Sequence, residues 1–308
     1  MGATGYTPEG SAKSAFPRGE LTAADLAKAL ENKTILEARA KLCDERHNLV
    51  VELSPGVTGV IEKSEVALGA DGEDFKNIAI ITRVGKHVCF KVLSLTQQPD
   101  GGVVAQLSRR AAQRECVEQY VSRLRPGDII DAKVTHIEPF GAFVDIGCGF
   151  VSLISIDNIS VSRIASPRDR FQIGDEIKAV VKSVEGGRVT LTHKELLGTW
   201  EQNAALFSPG QTAAGIVRSV EPYGIFVELM PNLAGLAEWR EGVSVGQTAA
   251  VYIKNIIPEK MKLKLIIVDS FDAAPAKPQN RYFIDEGRLS VFRYSPENCK
   301  KLIETRFE

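Results

Sequence analysis

Short alternations of apolar and polar positions fill most of this chain, and they come in groups of about five. From about Thr34 to Arg110 the runs are Ile35–Leu42, Leu49–Leu53, Val57–Ile61, Ile78–Thr82, Val88–Leu95 and Val103–Leu107. They have strand length, and turn-forming residues separate them. The same texture returns over 125–194 and over 208–270, with about five short strands in each stretch. That many strands in about 70 residues predict a small closed barrel rather than a sandwich. Helical spacing is confined to short pieces: a capped helix from Thr22 through Leu30, and connectors carrying Val117, Tyr120, Val121, Leu124 and Leu197, Trp200, Ala204, Phe207. The connectors end at Pro126-Gly127 and Pro209-Gly210.

The predicted class is therefore mostly β, with three tandem five-stranded barrels joined by short helices. The expected boundaries are 1–33 for a disordered N-terminus and short helix, 34–110 for the first barrel and 111–124 for a helical connector. The second barrel follows at 125–194, a second connector at 195–207 and the third barrel at 208–270. Residues 271–308 read as a linker (Ala273–Pro278), a hairpin over Tyr282–Phe292, and a helix opening at Ser295-Pro296 toward Phe307.

The second and third barrels repeat one sentence. Gly127-Asp128 leads through Val134 and Ile137 to Glu138-Pro139-Phe140-Gly141-Ala142-Phe143-Val144-Asp145. Gly210-Gln211 leads through Val217 and Val220 to Glu221-Pro222-Tyr223-Gly224-Ile225-Phe226-Val227-Glu228, an offset of 83 (210 − 127). Strand alternation puts Ala142, Val144 and Ile146 on one face and Phe143 with Asp145 on the other. A buried carboxylate is costly, so the Asp145 and Glu228 side is expected to be wet, with Phe143 and Phe226 outside. Gly141 and Gly224 permit a bend that brings Phe140 and Tyr223 to the same side. In the first region Glu52 stands at the Asp145 position, with Val50 and His47 where the rings belong. The fold is kept there and the ring pair is lost.

Charge narrows the partners. The chain has 308 residues, 38 basic against 39 acidic, and a net charge of −1. Binding to polyanions then needs a local basic stripe. Candidates are Lys133, Lys182 and Arg188 in the second barrel and Arg218, Lys254 and Lys262 in the third. Weaker ones are Arg163, Arg168 and Arg170 in the insert Ser160–Phe171. No Walker-type loop, paired-cysteine spacing or His-Glu-x-x-His helix occurs, so no enzyme, metal site or cofactor is expected. His136 alternates with Ala132 and Val134 and reads as core; His193, at a strand end before Lys194, reads as surface or as a helix-entry contact. Asp71, Glu73 and Asp74 read as a solvated loop. Five cysteines at no disulfide spacing suit a reducing cytoplasm, and neither a signal peptide nor a spanning segment is visible.

Gly127-Asp-Ile-Ile130, Phe140-Gly-Ala-Phe143-Val-Asp and Gly187-Arg188-Val189-Thr190-Leu191 resemble the S1 RNA-binding module, an oligonucleotide-binding (OB) barrel. That family is named for the mRNA-binding protein of the bacterial small ribosomal subunit. The resemblance covers about 34–268, and the layout is similar to short, three-module homologues of Firmicutes-type bacteria. It implies single-stranded RNA across the second and third strands of a barrel, on Phe140, Phe143 and Arg188, with Glu185 near the acidic position. In the third barrel it implies Tyr223, Phe226 and Lys262. The family's strand-three histidine is Ser155 in one copy and Glu238 in the other, and Val104 holds the arginine position in the first barrel. The implied partners are single-stranded RNA and, through the first barrel, the small ribosomal subunit, for a monomer off the membrane. An RNA-decay or regulatory accessory role and a protein-interaction scaffold are the competing readings.

Overall fold

The computed structural model describes residues 5–68, 80–272 and 281–308. The loop with Asp71, Glu73 and Asp74 and the linker Ala273–Pro278 lie outside the described residues. Three closed five-stranded barrels are formed. The first comprises β1 (Leu36–Cys43), β2 (Leu49–Ser54), β3 (Val57–Ile61), β4 (His87–Gln97) and β5 (Val103–Ser108). The second comprises β6 (Ile129–Glu138), β7 (Gly141–Asp145), β8 (Val151–Ser155), β9 (Glu176–Glu185) and β10 (Arg188–Thr192). The third comprises β11 (Thr212–Glu221), β12 (Gly224–Met230), β13 (Leu233–Ala237), β14 (Thr248–Ile257) and β15 (Lys262–Phe271). In each, the third strand closes the barrel by pairing in parallel with the fifth, as Leu153↔Thr190 and Leu236↔Lys264 do. Of the expected strand Ile78–Thr82, the described Ile80 and Ile81 are helical.

Helices are short. α1 (Ala23–Asn32) starts in a reciprocal cap between Thr22 and Asp25. α2 (Arg109–Gln119) follows the first barrel. After the second barrel the chain makes a single 3-10 turn to Gly198, and α3 (Trp200–Ala204) then restarts at a Thr199–Gln202 cap. The left-handed φ of +83° at Gly198 interrupts the longer connector that the apolar spacing suggested.

By compactness the chain divides into two units. One holds the residues up to 124 with 131–133 and 145–151; the other holds 125–130, 134–144 and 152–308. In the first unit, residues 5–20 are not disordered as expected. Phe16 and Leu21 are buried, Glu9 is buried against Arg109, and Glu37 N donates to Pro17 O at 3.0 Å. A buried ion pair and two apolar anchors offset the chain entropy that a Gly- and Ser-rich segment would otherwise keep.

In the second unit the C-terminal hairpin pairs β16 (Val291–Arg293) with β17 (Glu304–Arg306), later in the chain than the sequence suggested. The helix expected from Ser295-Pro296 is absent. Ser295 Oγ accepts from Ile303 N, and a turn at Pro296–Cys299 returns the chain to β17. Phe292, Tyr294 and Phe307 are buried in the core of the third barrel, and an extended backbone delivers them there.

Candidate nucleic-acid interface

Each ring pair is built by its glycine. A Cβ on Gly141 would stand 2.5 Å from Ile154 O, and one on Gly224 2.5 Å from Ala237 O. Only glycine lets the second strand press this close to the third, and the preceding turn then lays its ring over the strand. Phe140 is 54% exposed beside half-buried Phe143, with ring centroids 6.0 Å apart and planes at 88°. Tyr223 is 69% exposed beside half-buried Phe226, at 6.2 Å and 85°. Both are edge-to-face pairs that leave ring surface in water.

A third ring joins the second barrel's pair. His136, expected in the core, is exposed, with its centroid 6.2 Å from that of Phe143, and its Nε2 lies 2.6 Å from Glu138 Oε1. Buried positions on β6 run Ala132, Val134, then Ile137, a slip of one residue that turns His136 outward. The same slip is seen as a register shift between Val217 and Ser219 on β11.

The basic residues divide. Arg188 is exposed opposite Glu185. Lys182 Nζ and Lys194 Nζ both lie 3.4 Å from Asn158 Oδ1, and Asn158 Nδ2 donates to Ser155 Oγ at 2.8 Å. Sequence reading missed Lys194 and Asn158; only the turn after β8 brings them to Lys182 and Ser155. In the third barrel Lys254 lies 3.8 Å from exposed Glu238, Lys262 is exposed, and Lys264 stands beside Leu236, which is paired with Phe226. Lys264 was also missed; its strand register supplies the signal. Arg163 and Arg168 are exposed.

Three candidates are corrected. Lys133 Nζ donates to Gly10 O at 2.5 Å, so it fastens the N-terminal segment. Arg170 is fully buried and donates to Glu228 Oε1 at 2.5 Å and Pro231 O at 3.2 Å. Arg218, mostly buried, bonds Glu228 and lies 3.1 Å from Asp169. Both arginines are paired with carboxylates inside the protein, and half-buried Lys133 is held on backbone carbonyls.

The two carboxylates expected in water are buried as well. Asp145 accepts from Glu9 N at 2.7 Å, Gly147 N at 2.8 Å and Gly149 N at 3.0 Å. Burial first, then the charge of Glu9, pushes it up to about 7. Glu9 is itself held below its usual value by Arg109, which grips it at 2.7 and 2.9 Å. Glu228 is held by Arg170 and Arg218. The cost argument holds for unpaired carboxylates, and neither of these is unpaired. His193 is not at the surface but at the entry to the 3-10 turn, fully buried between Phe171 and Tyr282, with centroids at 5.0 and 5.6 Å. Its Nδ1–H donates to Ile159 O at 3.0 Å, and burial holds the ring down to about 4, so it is neutral.

The first barrel has Val50 and His47 at the ring positions. Among the described residues no cluster of His, Cys, Asp and Glu could hold a metal ion, and no helix is long and apolar enough to cross a membrane.

Residues 123–194 match the S1 RNA binding domain family. The chain is 30% identical over 278 residues to the small ribosomal subunit protein bS1 homolog of Bacillus subtilis, covering 84% of this chain and 69% of that protein. It is 31% identical to the homolog of Bacillus cereus, covering 67% of this chain and 51% of that protein. To the bS1 protein of Leuconostoc lactis it is also 31% identical, covering 75% and 52%. The chain thus spans about half to two thirds of the length of these relatives. With a barrel of this kind written three times and a relative matched over most of both chains, the chain belongs to the family of small ribosomal subunit protein bS1 and its homologues.

Proposed function

We propose that the chain binds unstructured single-stranded RNA by stacking bases on Phe140 and Phe143 and on Tyr223 and Phe226. The observation that carries this is the same edge-to-face ring pair standing partly in water at both repeat positions. Aromatic stacking contributes about 1–3 kcal/mol per base with little sequence preference. His136 extends the first pair. Around the rings Arg188, Lys182 and Lys194 serve phosphates in the second barrel, and Lys254, Lys262 and Lys264 in the third. Stacking is the main term, which suits a protein of net charge −1. The names of the relatives support a place at the small ribosomal subunit; in this reading messenger RNA is the ligand and the ringless first barrel faces the subunit.

The test is a fluorescence titration of an unstructured RNA oligonucleotide at two salt concentrations. With up to six cations on phosphate, log K should fall against log salt with a slope no steeper than about −4, near −0.7 per contact for single strands. Binding that is insensitive both to salt and to Phe143→Ala with Phe226→Ala rejects the reading in favour of a scaffold. RNA binding without co-sedimentation with small subunits favours an accessory role away from the ribosome.

A further inference from the structure

Residues 281–308 are bonded to the second barrel and to the third. Leu289 N donates to Gly127 O at 2.9 Å, Ile129 N to Gly287 O at 3.0 Å, and Arg288 Nε to Pro126 O at 3.0 Å, all at the entry to β6. Phe283 N donates to Leu196 O at 2.9 Å, and Tyr282 Oη accepts from Lys178 N at 3.1 Å on β9. Further along, Trp200 N donates to Tyr294 O at 3.0 Å, and Tyr294 Oη donates to Asn232 O at 2.5 Å. Phe292, Tyr294 and Phe307 share one buried cluster with Val217, Ile225 and Val251 of the third barrel.

Two glycines show that the seat is cut for this segment. Gly127 has φ +91°, and a Cβ there would fall 1.9 Å from Leu289 O. Gly198 has φ +83°, and a Cβ there would fall 2.5 Å from the Phe283 ring. Gly210, the repeat partner of Gly127, has the same φ of +91°, yet a Cβ there meets only the Tyr252 hydroxyl at 3.9 Å. Turn geometry therefore explains the glycine at both positions, and close approach adds a second demand only at Gly127. The two barrels also grip each other directly. Arg170 reaches Glu228 and Pro231 O, and Asn232 bonds Val161 N, Lys194 O and Gly198 O through its side chain.

We infer that the C-terminal segment is a strap that fixes the second and third barrels as one body, so that their ring pairs meet an RNA strand as a preset two-part site. The RNA half rests on the function proposed above; the one-body half does not. A fixed arrangement leaves less freedom to lose when the second ring pair engages, so avidity rises without a new contact.

The test uses the full chain. By ¹⁵N relaxation, amides of the second and third barrels should report one common tumbling time. In Gly127→Ala the two times should separate, and in Gly210→Ala, which carries the same backbone strain without the clash, they should stay equal. Phe283→Ala, which removes a strap ring without touching any glycine, is the second variant should Gly127→Ala fail to fold. Two tumbling times in the unmodified chain, or one in both Gly127→Ala and Phe283→Ala, overturn the strap. For RNA, the affinity advantage of an oligonucleotide long enough for both barrels over one that fits a single barrel should drop about tenfold in the strap variants, with the short one unchanged. An equal loss for both lengths overturns the two-part site. If the unmodified chain binds neither length, the RNA reading fails, and the tumbling times alone decide the strap.

Discussion

Asp145 and Glu228 stand at the same place in two copies of one strand, 83 residues apart, and Glu52 holds that place in the first copy (228 − 145 = 83). Glu52 is exposed and meets Lys41 at 3.3 Å. The other two are buried, and they are satisfied in different ways. Three backbone N–H groups cap Asp145 in the first unit, while two arginines clamp Glu228 in the second. A strand position thus fixes where a carboxylate points, and what packs over it decides whether it meets water, a proton or a cation.

The sharpest way to break that comparison is to remove a clamp. Arg170→Ala leaves a buried carboxylate short of its best partner and should destabilise the second unit by about 3–5 kcal/mol. Lys41→Ala, which removes the partner of exposed Glu52, should change stability by less than about 1 kcal/mol. Urea unfolding of the two variants checks both values. Equal effects would mean that burial does not distinguish Glu228 from Glu52.

Next in size is His193, packed beside the insert that carries Arg170. Its folded value lies near 4, below the ordinary 6.5, so the neutral ring contributes stability that is present above about 6.5 and lost as pH falls toward 4. Between those limits the loss should be roughly 3 kcal/mol. Thermal unfolding of His193→Gln from pH 7 to 4.5 should show a shallower acid decline than the unmodified chain.

Much of this was legible in the sequence, and the errors have two causes. Strand alternation, turn residues and the 83-residue offset gave the barrels and both ring pairs, because these depend on neighbours within one strand or one hairpin. His136 was misplaced because a one-residue slip on β6 breaks the alternation, and slips leave no mark in composition. Asp145, Glu228, Arg170, Arg218 and Lys133 were set in water by a rule that prices a buried charge alone. Most of their partners come from segments far away in the chain, as Glu9 does for Asp145 and Arg170 for Glu228, although Arg218 meets Glu228 within one hairpin. The C-terminal segment failed for the same reason, since Ser295-Pro296 is a sound local helix start that burial of Tyr294 and Phe307 overrides.

The ring pairs supply the next contrast. Phe143→Ala and Phe226→Ala should each cost about 1–3 kcal/mol in RNA affinity, roughly 5- to 150-fold, with the fold intact by circular dichroism. Val50→Ala, at the same strand position in the first barrel, should leave RNA affinity unchanged. An equal loss there would place RNA on all three barrels and end the division between ringed and ringless copies.

The smallest effect bears on the two buried carboxylates. Asp145, raised to about 7, contributes stability that is fully present below its ordinary 3.8 and lost as pH rises through 7. Glu9, lowered by Arg109, contributes in the opposite sense, present above its ordinary 4.5 and lost as pH falls. The two overlap best near pH 5–6, with Asp145 protonated and Glu9 ionised, so the first unit should weaken by only about 1 kcal/mol between pH 6 and 8. Asp145→Asn keeps the shape and cannot ionise, so it should flatten that decline. Glu228 lies against the guanidinium groups of Arg170 and Arg218, and Glu228→Gln, which removes the charge they face, should be destabilising. Hydrogen exchange of Gly147 and Gly149 amides, set against those of β12, separates the two responses within one sample. A parallel pH response in both strands would show that the repeat position alone, and not what covers it, sets the behaviour of its carboxylate.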